Sequence, residues 1–257
     1  MIDSLRAVHP DLIVIDGGNF GQSVAERVAW KSAELFKTMC GIGYDAISLG
    51  DNDLFDGLAD SVAAVGGERF LFSSLHTGMN LAPTKVVSKS GVRVGFINAV
   101  SASVLARLQS SNGGQSEVAG FVREQLGKLQ TQNLDFYAVV FLGPQQELLE
   151  LSRKFPEVDL WLQTNGDHHP IRQLDSAPST LVVSGGDRGR EVAFITVEKA
   201  KGEGLVSASF RQIILDATIK DSPKATKYLD SFRQASQAIK SPHQSGQHSS
   251  NSDKVDQ

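Results

Sequence analysis

The fold class predicted for this chain is α/β, with a core of parallel strands, and three observations predict it. Short β-branched apolar runs end in glycine and a polar loop, helical-period segments separate them, and strict apolar–polar alternation begins only near the carboxyl end.

The first run, Leu12-Ile13-Val14-Ile15, is stopped by Asp16-Gly17-Gly18 and reads as a buried strand feeding a loop. From about Ser23 to Cys40, Val24, Val28, Phe36 and Cys40 recur at helical spacing beside Ala25, Ala29 and Ala33, and the period ends at Gly41. Ala46–Leu49 is the next strand, followed by the polar knot Gly50-Asp51-Asn52-Asp53. Two strand-then-polar-loop units joined by a helix point to a site at the carboxyl edge of a parallel sheet. Further strands are predicted at Phe70–Ser73, Val92–Ala99, Phe136–Leu142, Val158–Leu162 and Thr180–Ser184, with helices near Glu117–Leu129 and Gln146–Lys154. Glu191–Glu198 and Leu205–Leu215 then alternate around Lys201-Gly202-Glu203-Gly204, the pattern of an antiparallel hairpin. Pro223 opens a helix to about Lys240, and residues 241–257 carry one aliphatic side chain, Val255, among polar ones, so that tail is expected to be disordered. The expected organisation is a domain over 1–220, a connecting helix over 221–240 and a polar tail over 241–257.

Composition narrows the function classes. Twenty-five basic against twenty-nine acidic residues give a net charge of −4, which offers no footprint for nucleic acid or an anionic membrane surface. The single cysteine, Cys40, lies on the apolar stripe of its helix and reads as a small core residue. Trp30 and Trp161 likewise read as packing residues. No segment approaches the ~20 apolar residues of a membrane span. Met1 is followed by Ile2-Asp3-Ser4-Leu5-Arg6, so no signal peptide is expected in these residues.

Five segments in order, PDLIVIDGGNF, GYDAISLGDNDLFDG, SGVRVGFINAV, VDLWLQTNGDHHP and GGDRGREVAFITVEK, resemble the 5′-nucleotidase (UDP-sugar hydrolase) family over about Leu5 to Ser231. The resemblance implies a metallophosphoesterase-type sandwich of two mixed β-sheets flanked by helices. It also implies two divalent metals at the strand ends that activate water against a phosphate ester, a chemistry requiring carboxylate, amide and imidazole ligands and a bridging carboxylate.

Measured against that pattern, the ligands have largely been replaced. The family's opening Asp-x-His has no counterpart. Its bridging aspartate falls on Asn19, a neutral amide; its Gly-Asn-His followed by an acid falls on Gly50-Asp51-Asn52-Asp53, so Asn52 stands where the catalytic histidine would, and Asp51 keeps an oxygen donor. A later histidine falls on Leu142 or Gly143. The Gly-His-x-His motif falls on Gly166-Asp167-His168-His169, where His168 alone matches a ligand.

Two readings stand at each remaining residue. Asp51, Asp53 and Asp56 form either a carboxylate cluster on one loop or a solvated turn whose side chains cap backbone amides. Asp167, His168 and His169 are either a residual metal or phosphate site or a surface loop before Pro170. Asp16 reads as an acceptor for loop amides, and Gly17, Gly18, Gly185 and Gly186 make turns or let a phosphate approach. His243 and His248 read as solvated tail.

The function expected is a catalytically degenerate 5′-nucleotidase-like domain, a scaffold or binding module, with no tightly bound cofactor. Two alternatives remain open: a metal-dependent phosphoesterase using manganese, zinc or iron on Asp51, Asp167 and His168, and an accessory subunit or fusion partner in a multidomain exported protein. The resemblance implies a periplasmic or exported location, a phosphate ester or nucleotide as ligand, and a further amino- or carboxyl-terminal domain.

Overall fold

The computed structural model describes residues 1–21, 29–54, 57–75, 77–108, 117–164, 180–184, 189–200, 205–220 and 222–240. The chain divides into two units, Met1–Lys220 and Asp221–Gln257.

In the first unit, helix α1 (Ile2–Val8) precedes a three-stranded parallel sheet of β1 (Ile15–Asp16), β2 (Ala46–Ser48) and β3 (Leu71–Phe72), connected through α2 (Ala29–Ile42) and α3 (Leu58–Ala64). A five-stranded mixed sheet follows in the spatial order β4 (Thr84–Lys89), β5 (Val92–Val100), β6 (Phe136–Leu142), β7 (Leu160–Thr164) and β8 (Leu181–Ser184). Only β4 runs antiparallel. Helices α4 (Ala102–Leu108), α5 (Val118–Gln130) and α6 (Gln145–Lys154) fill its crossovers, and β9 (Glu191–Lys199) pairs antiparallel with β10 (Leu205–Ile214).

Period-two alternation explains the layers. Along β5 and β6, Val94, Phe96, Ala138 and Val140 face Ala46, Phe72 and Ile15 of the small sheet, forming the sandwich interior. Their neighbours Ile97, Ala99, Val139 and Phe141 face the other way, onto Val122, Leu126, Leu148 and Trp161 beneath α5 and α6. Phe36, Met39 and Val62 cover the far side of the small sheet. The hairpin packs Ala193, Ile195, Val197, Ala208 and Phe210 onto Leu181 and Val183. The result is a sandwich of sheets flanked by helices.

Three departures from the sequence reading have physical causes. Strand β4 has no counterpart among the predicted strands, because its polar, half-exposed side chains hide the pattern; it turns back through Ser90 and Gly91, both at positive φ (49° and 87°), the geometry of a two-residue primed hairpin. The strand expected at Val158–Leu162 runs instead from Leu160 to Thr164. Val158 is buried as the last residue of a turn onto Phe155, so apolarity there marks burial and not pairing. Strand β1 is shorter than Leu12–Ile15, although the Val14 carbonyl still accepts from the amide of Asp45 at 2.7 Å.

A hub at Asp45 fastens the opening segment. Its carboxylate accepts from the Val14 amide at 2.8 Å and pairs with Lys89 at 3.0 Å and Arg6 at 3.6 Å. Arg6 also donates to the carbonyls of Ile42 and Gly43, satisfying the carboxyl end of α2. In the second unit, α7 (Pro223–Lys240) is a single helix. Among the described residues, no helix is long and apolar enough to cross a membrane.

Candidate functional site

The loops leaving β1 and β2 lie side by side at the carboxyl edge of the small sheet, and their centre is Asp53. Its side chain is completely buried. One carboxylate oxygen, Oδ2, accepts from the amides of Asn19 at 2.6 Å and Gly50 at 2.8 Å, and Oδ1 accepts from the amide of Gly21 at 2.7 Å. Burial pushes the Asp53 carboxyl up to about 7, against the lowering effect of these three donors. Residues 51–53 form a 3-10 turn, which aims this side chain back across its own start.

Asn19 answers from the other loop. It sits at φ 62°, a left-handed conformation that asparagine tolerates, and its Oδ1 accepts from the Asn52 amide at 3.0 Å. Its Nδ2 is buried and has no hydrogen-bond partner. Asp51 also points one buried oxygen, Oδ1, at no partner, while Oδ2 lies 3.8 Å from the exposed Arg107 guanidinium at the end of α4.

Glycine makes the contact possible. A methyl group on Gly18 would stand 2.8 Å from the Gly50 nitrogen, and one on Gly21 would strike the Asn52 carbonyl. Gly18 therefore serves the approach of one backbone to another. Beside it, Asp16 accepts from the Gly18 amide at 2.8 Å, and burial raises its carboxyl to about 6.

The second sheet joins the same edge. Asn98 of β5, only 1% exposed, donates to the Ser48 hydroxyl at 2.6 Å and accepts from the amide and hydroxyl of Ser74 at 2.8 and 2.6 Å. The Thr164 hydroxyl at the end of β7 donates to the Gly17 carbonyl at 2.7 Å. Leu142 ends β6 inside an apolar cluster with Leu75, Val100, Val104 and Leu105.

The structure thus brings Asn19, Asp51, Asn52 and Asp53 together, with Asp16 close behind. Asp53 caps backbone amides, as the turn reading has it, but it is completely buried and not solvated, and it reaches the facing loop as well as its own; the Asn98 bridge has no counterpart in the sequence reading. The signal for Asp53 was an acid three residues after Gly50, at the end of a buried strand. Asp56, Asp167, His168, His169, Gly166, Gly185, Gly186, His243 and His248 lie outside the described residues.

Comparison with known proteins places the fold. No protein-family model matches the sequence, and no curated protein matches it. Among solved structures, the chain is similar to a 5′-nucleotidase precursor from Thermus thermophilus (TM-score 0.75, 17% identity, 93% of this chain and 52% of that one). It is also similar to the sulfate thiohydrolase SoxB from Thermus thermophilus in complex with glycerol (0.72, 14%, 92% and 46%). A third likeness is to the calcineurin-like phosphoesterase YfkN from Bacillus subtilis (0.69, 15%, 93% and 87%). The chain has the calcineurin-like metallophosphoesterase fold, and it spans about half the length of the two Thermus chains.

That fold class is typically dependent on divalent metals, so the donor chemistry can be tested against a metal pair. The described residues do not fit one. Both oxygens of Asp53 are spent on amides, Asn19 offers a buried N–H, and Leu142 offers no donor atom. Asp51 Oδ1 is the one unspent carboxylate oxygen of the turn. Among the described residues, no group of three or more His, Cys, Asp or Glu is placed to hold a metal ion.

Proposed function

We propose that this chain is a catalytically degenerate phosphoesterase-fold domain that acts as a scaffold or binding module for a phosphate ester or nucleotide, without hydrolysing it. The observation that carries the reading is the Asn19–Asp53 pairing: the residue matched to the bridging carboxylate is an amide, and the nearest buried carboxylate is engaged by three backbone amides. A two-metal hydrolase needs a bridging anion to offset the repulsion of its cations and to hold the nucleophilic water. The experiment is turnover of p-nitrophenyl phosphate and 5′-nucleotides by the purified chain with manganese, zinc or iron, alongside elemental analysis after dialysis. Metal-dependent turnover lost on Asp51→Ala, or two equivalents of retained metal, would overturn it.

A second reading, an altered metal site using Asp51 with Asp167 and His168, is favoured by one observation. Asp51 Oδ1 is buried and unpartnered, a state that suits a ligand oxygen. The same assay separates the two.

A further inference from the structure

We infer that the β9–β10 hairpin is a strap which opens away from the sandwich as one unit, and that the Lys199–Asp159 ion pair is the clasp that sets how often it opens. The inference is independent of turnover, because it concerns the amino end of β7, whereas Thr164 at the carboxyl end of that strand joins the rim of the site.

Period-two alternation puts Ala193, Ile195 and Val197 of β9 on one face, and with Ala208 and Phe210 of β10 they cover Leu181, Val183 and Phe136. Lys199 is the next residue in that period, so an inward face that is apolar for three steps ends in an ammonium group. Its Nζ lies 3.0 Å from both carboxylate oxygens of Asp159 and 5.6 Å from the ring centres of Phe136 and Tyr137.

Asp159 is firmly held by the body of the domain. Its Oδ2 accepts from the Tyr137 amide at 2.9 Å, its own amide donates to the Tyr137 carbonyl, and its carbonyl accepts from the Leu181 amide. The side chain is only 4% exposed, so withdrawing Lys199 leaves a buried carboxylate without its cation, which costs more than parting an exposed ion pair.

The rest of the attachment is thin. Among the described residues, β9 and β10 form a sheet of their own and pair with no strand of the two larger sheets. Outside the apolar patch and the clasp, the hairpin meets the body through the His9 ring, 5.3 Å from that of Phe194. An isolated two-stranded ribbon is barely stable in water, so a hairpin lifted off its patch loses its cross-strand bonds together. Opening uncovers Leu181 and Val183, while the pairing of β5 to β8 is untouched.

The test is native-state hydrogen exchange of the full chain at low urea concentrations, for the wild type, Lys199→Met and Val122→Ala. Methionine keeps an apolar stem over the two rings and removes the charge. In the wild type, the amides of β9 and β10 are expected to exchange as one group, at least ~100-fold faster than those of β5 to β7. Their response to urea should be smaller, since opening exposes less surface than global unfolding does. Lys199→Met should speed the hairpin group by at least ~10-fold. Val122→Ala thins the buried cluster under α5 and should speed β5 to β7, but leave the hairpin group within about twofold, because its contacts survive in the opened state. Should a variant fail to fold, the urea response of the wild type decides. Equal urea responses in the hairpin and in β5 to β7, or a hairpin accelerated by Val122→Ala as much as β6 is, overturn the strap. An unchanged hairpin rate in Lys199→Met overturns the clasp.

Discussion

Gly18 and Gly50 meet backbone to backbone: a Cβ on Gly18 would lie 2.8 Å from the Gly50 nitrogen, in a segment where Gly18 itself holds φ 96°. Gly18→Ala therefore meets both a left-handed backbone and a collision with main-chain atoms that cannot rotate away. The expected loss is about 2–4 kcal/mol of unfolding free energy, measured by denaturant titration. A change below ~1 kcal/mol would mean that the loops separate at little cost.

Asn98 ties the two sheets, and removing its side chain strands three polar partners at once, the buried Ser48 hydroxyl and the partly buried amide and hydroxyl of Ser74. Asn98→Ala should cost about 2–4 kcal/mol in the same titration, more than an ordinary hydrogen bond, because the Ser48 hydroxyl and the Ser74 amide lose their partner inside the protein. Equal stability of the variant would show that water takes over the bridge.

The pH dependence follows from Asp16. Its folded carboxyl is raised from 3.8 to about 6, so the folded chain binds the proton more tightly than the unfolded chain does. This contribution to stability is fully present below pH 3.8 and is lost as pH rises through about 6, with a slope of at most about 1.4 kcal/mol per pH unit. Asp53, raised to about 7, acts in the same direction. Melting curves from about pH 4 to 7 should fall less steeply for Asp16→Asn than for the wild type; parallel curves would remove Asp16 from the account.

Asp45 should be worth less than its number of partners suggests. The three charged side chains at this hub are each 20–24% exposed, so Asp45→Ala is expected to cost about 1–2 kcal/mol, chiefly through the Val14 amide. Adding about 1 M salt to the wild type should recover only a fraction of that cost, because the amide bond is not screened.

Single reversion should not create a hydrolase. Asn19→Asp would add a negative group to loops that already carry Asp16, Asp51 and Asp53, while Asn52 and Leu142 still lack an imidazole. No turnover above background is expected with manganese or zinc. A metal-dependent rate in this variant and not in the wild type would show that the charge at position 19 alone decides turnover.

The layers were legible in the sequence because burial enforces period: β6 lies at Phe136–Leu142, where its apolar run does, and the β9–β10 hairpin follows its alternation. What escaped was information carried by pairing instead of burial. Lys85 and Ser88 make β4 look like a loop, and its Ser90-Gly91 turn was the available cue. At the site, a list of residue types could align Asn19, Asp51 and Asn52 with a ligand pattern. Nothing local could reveal that Asp53 folds inward onto amides 32 and 34 positions away.

The hydrogen bond from Thr164 to Gly17 spans 147 positions of chain, whereas the Asp53 bonds to the β1 loop span at most 34. Closing a long loop costs more conformational entropy than closing a short one, by about 0.6 kcal/mol per doubling of length, and slows the search. The amino-terminal half of this rim should therefore assemble early, even on a chain still leaving the ribosome, and the end of β7 should dock onto it afterwards. Pulse-labelled exchange during refolding is expected to protect the amides of Asn19 and Gly50 before those of Leu162 and Thr164.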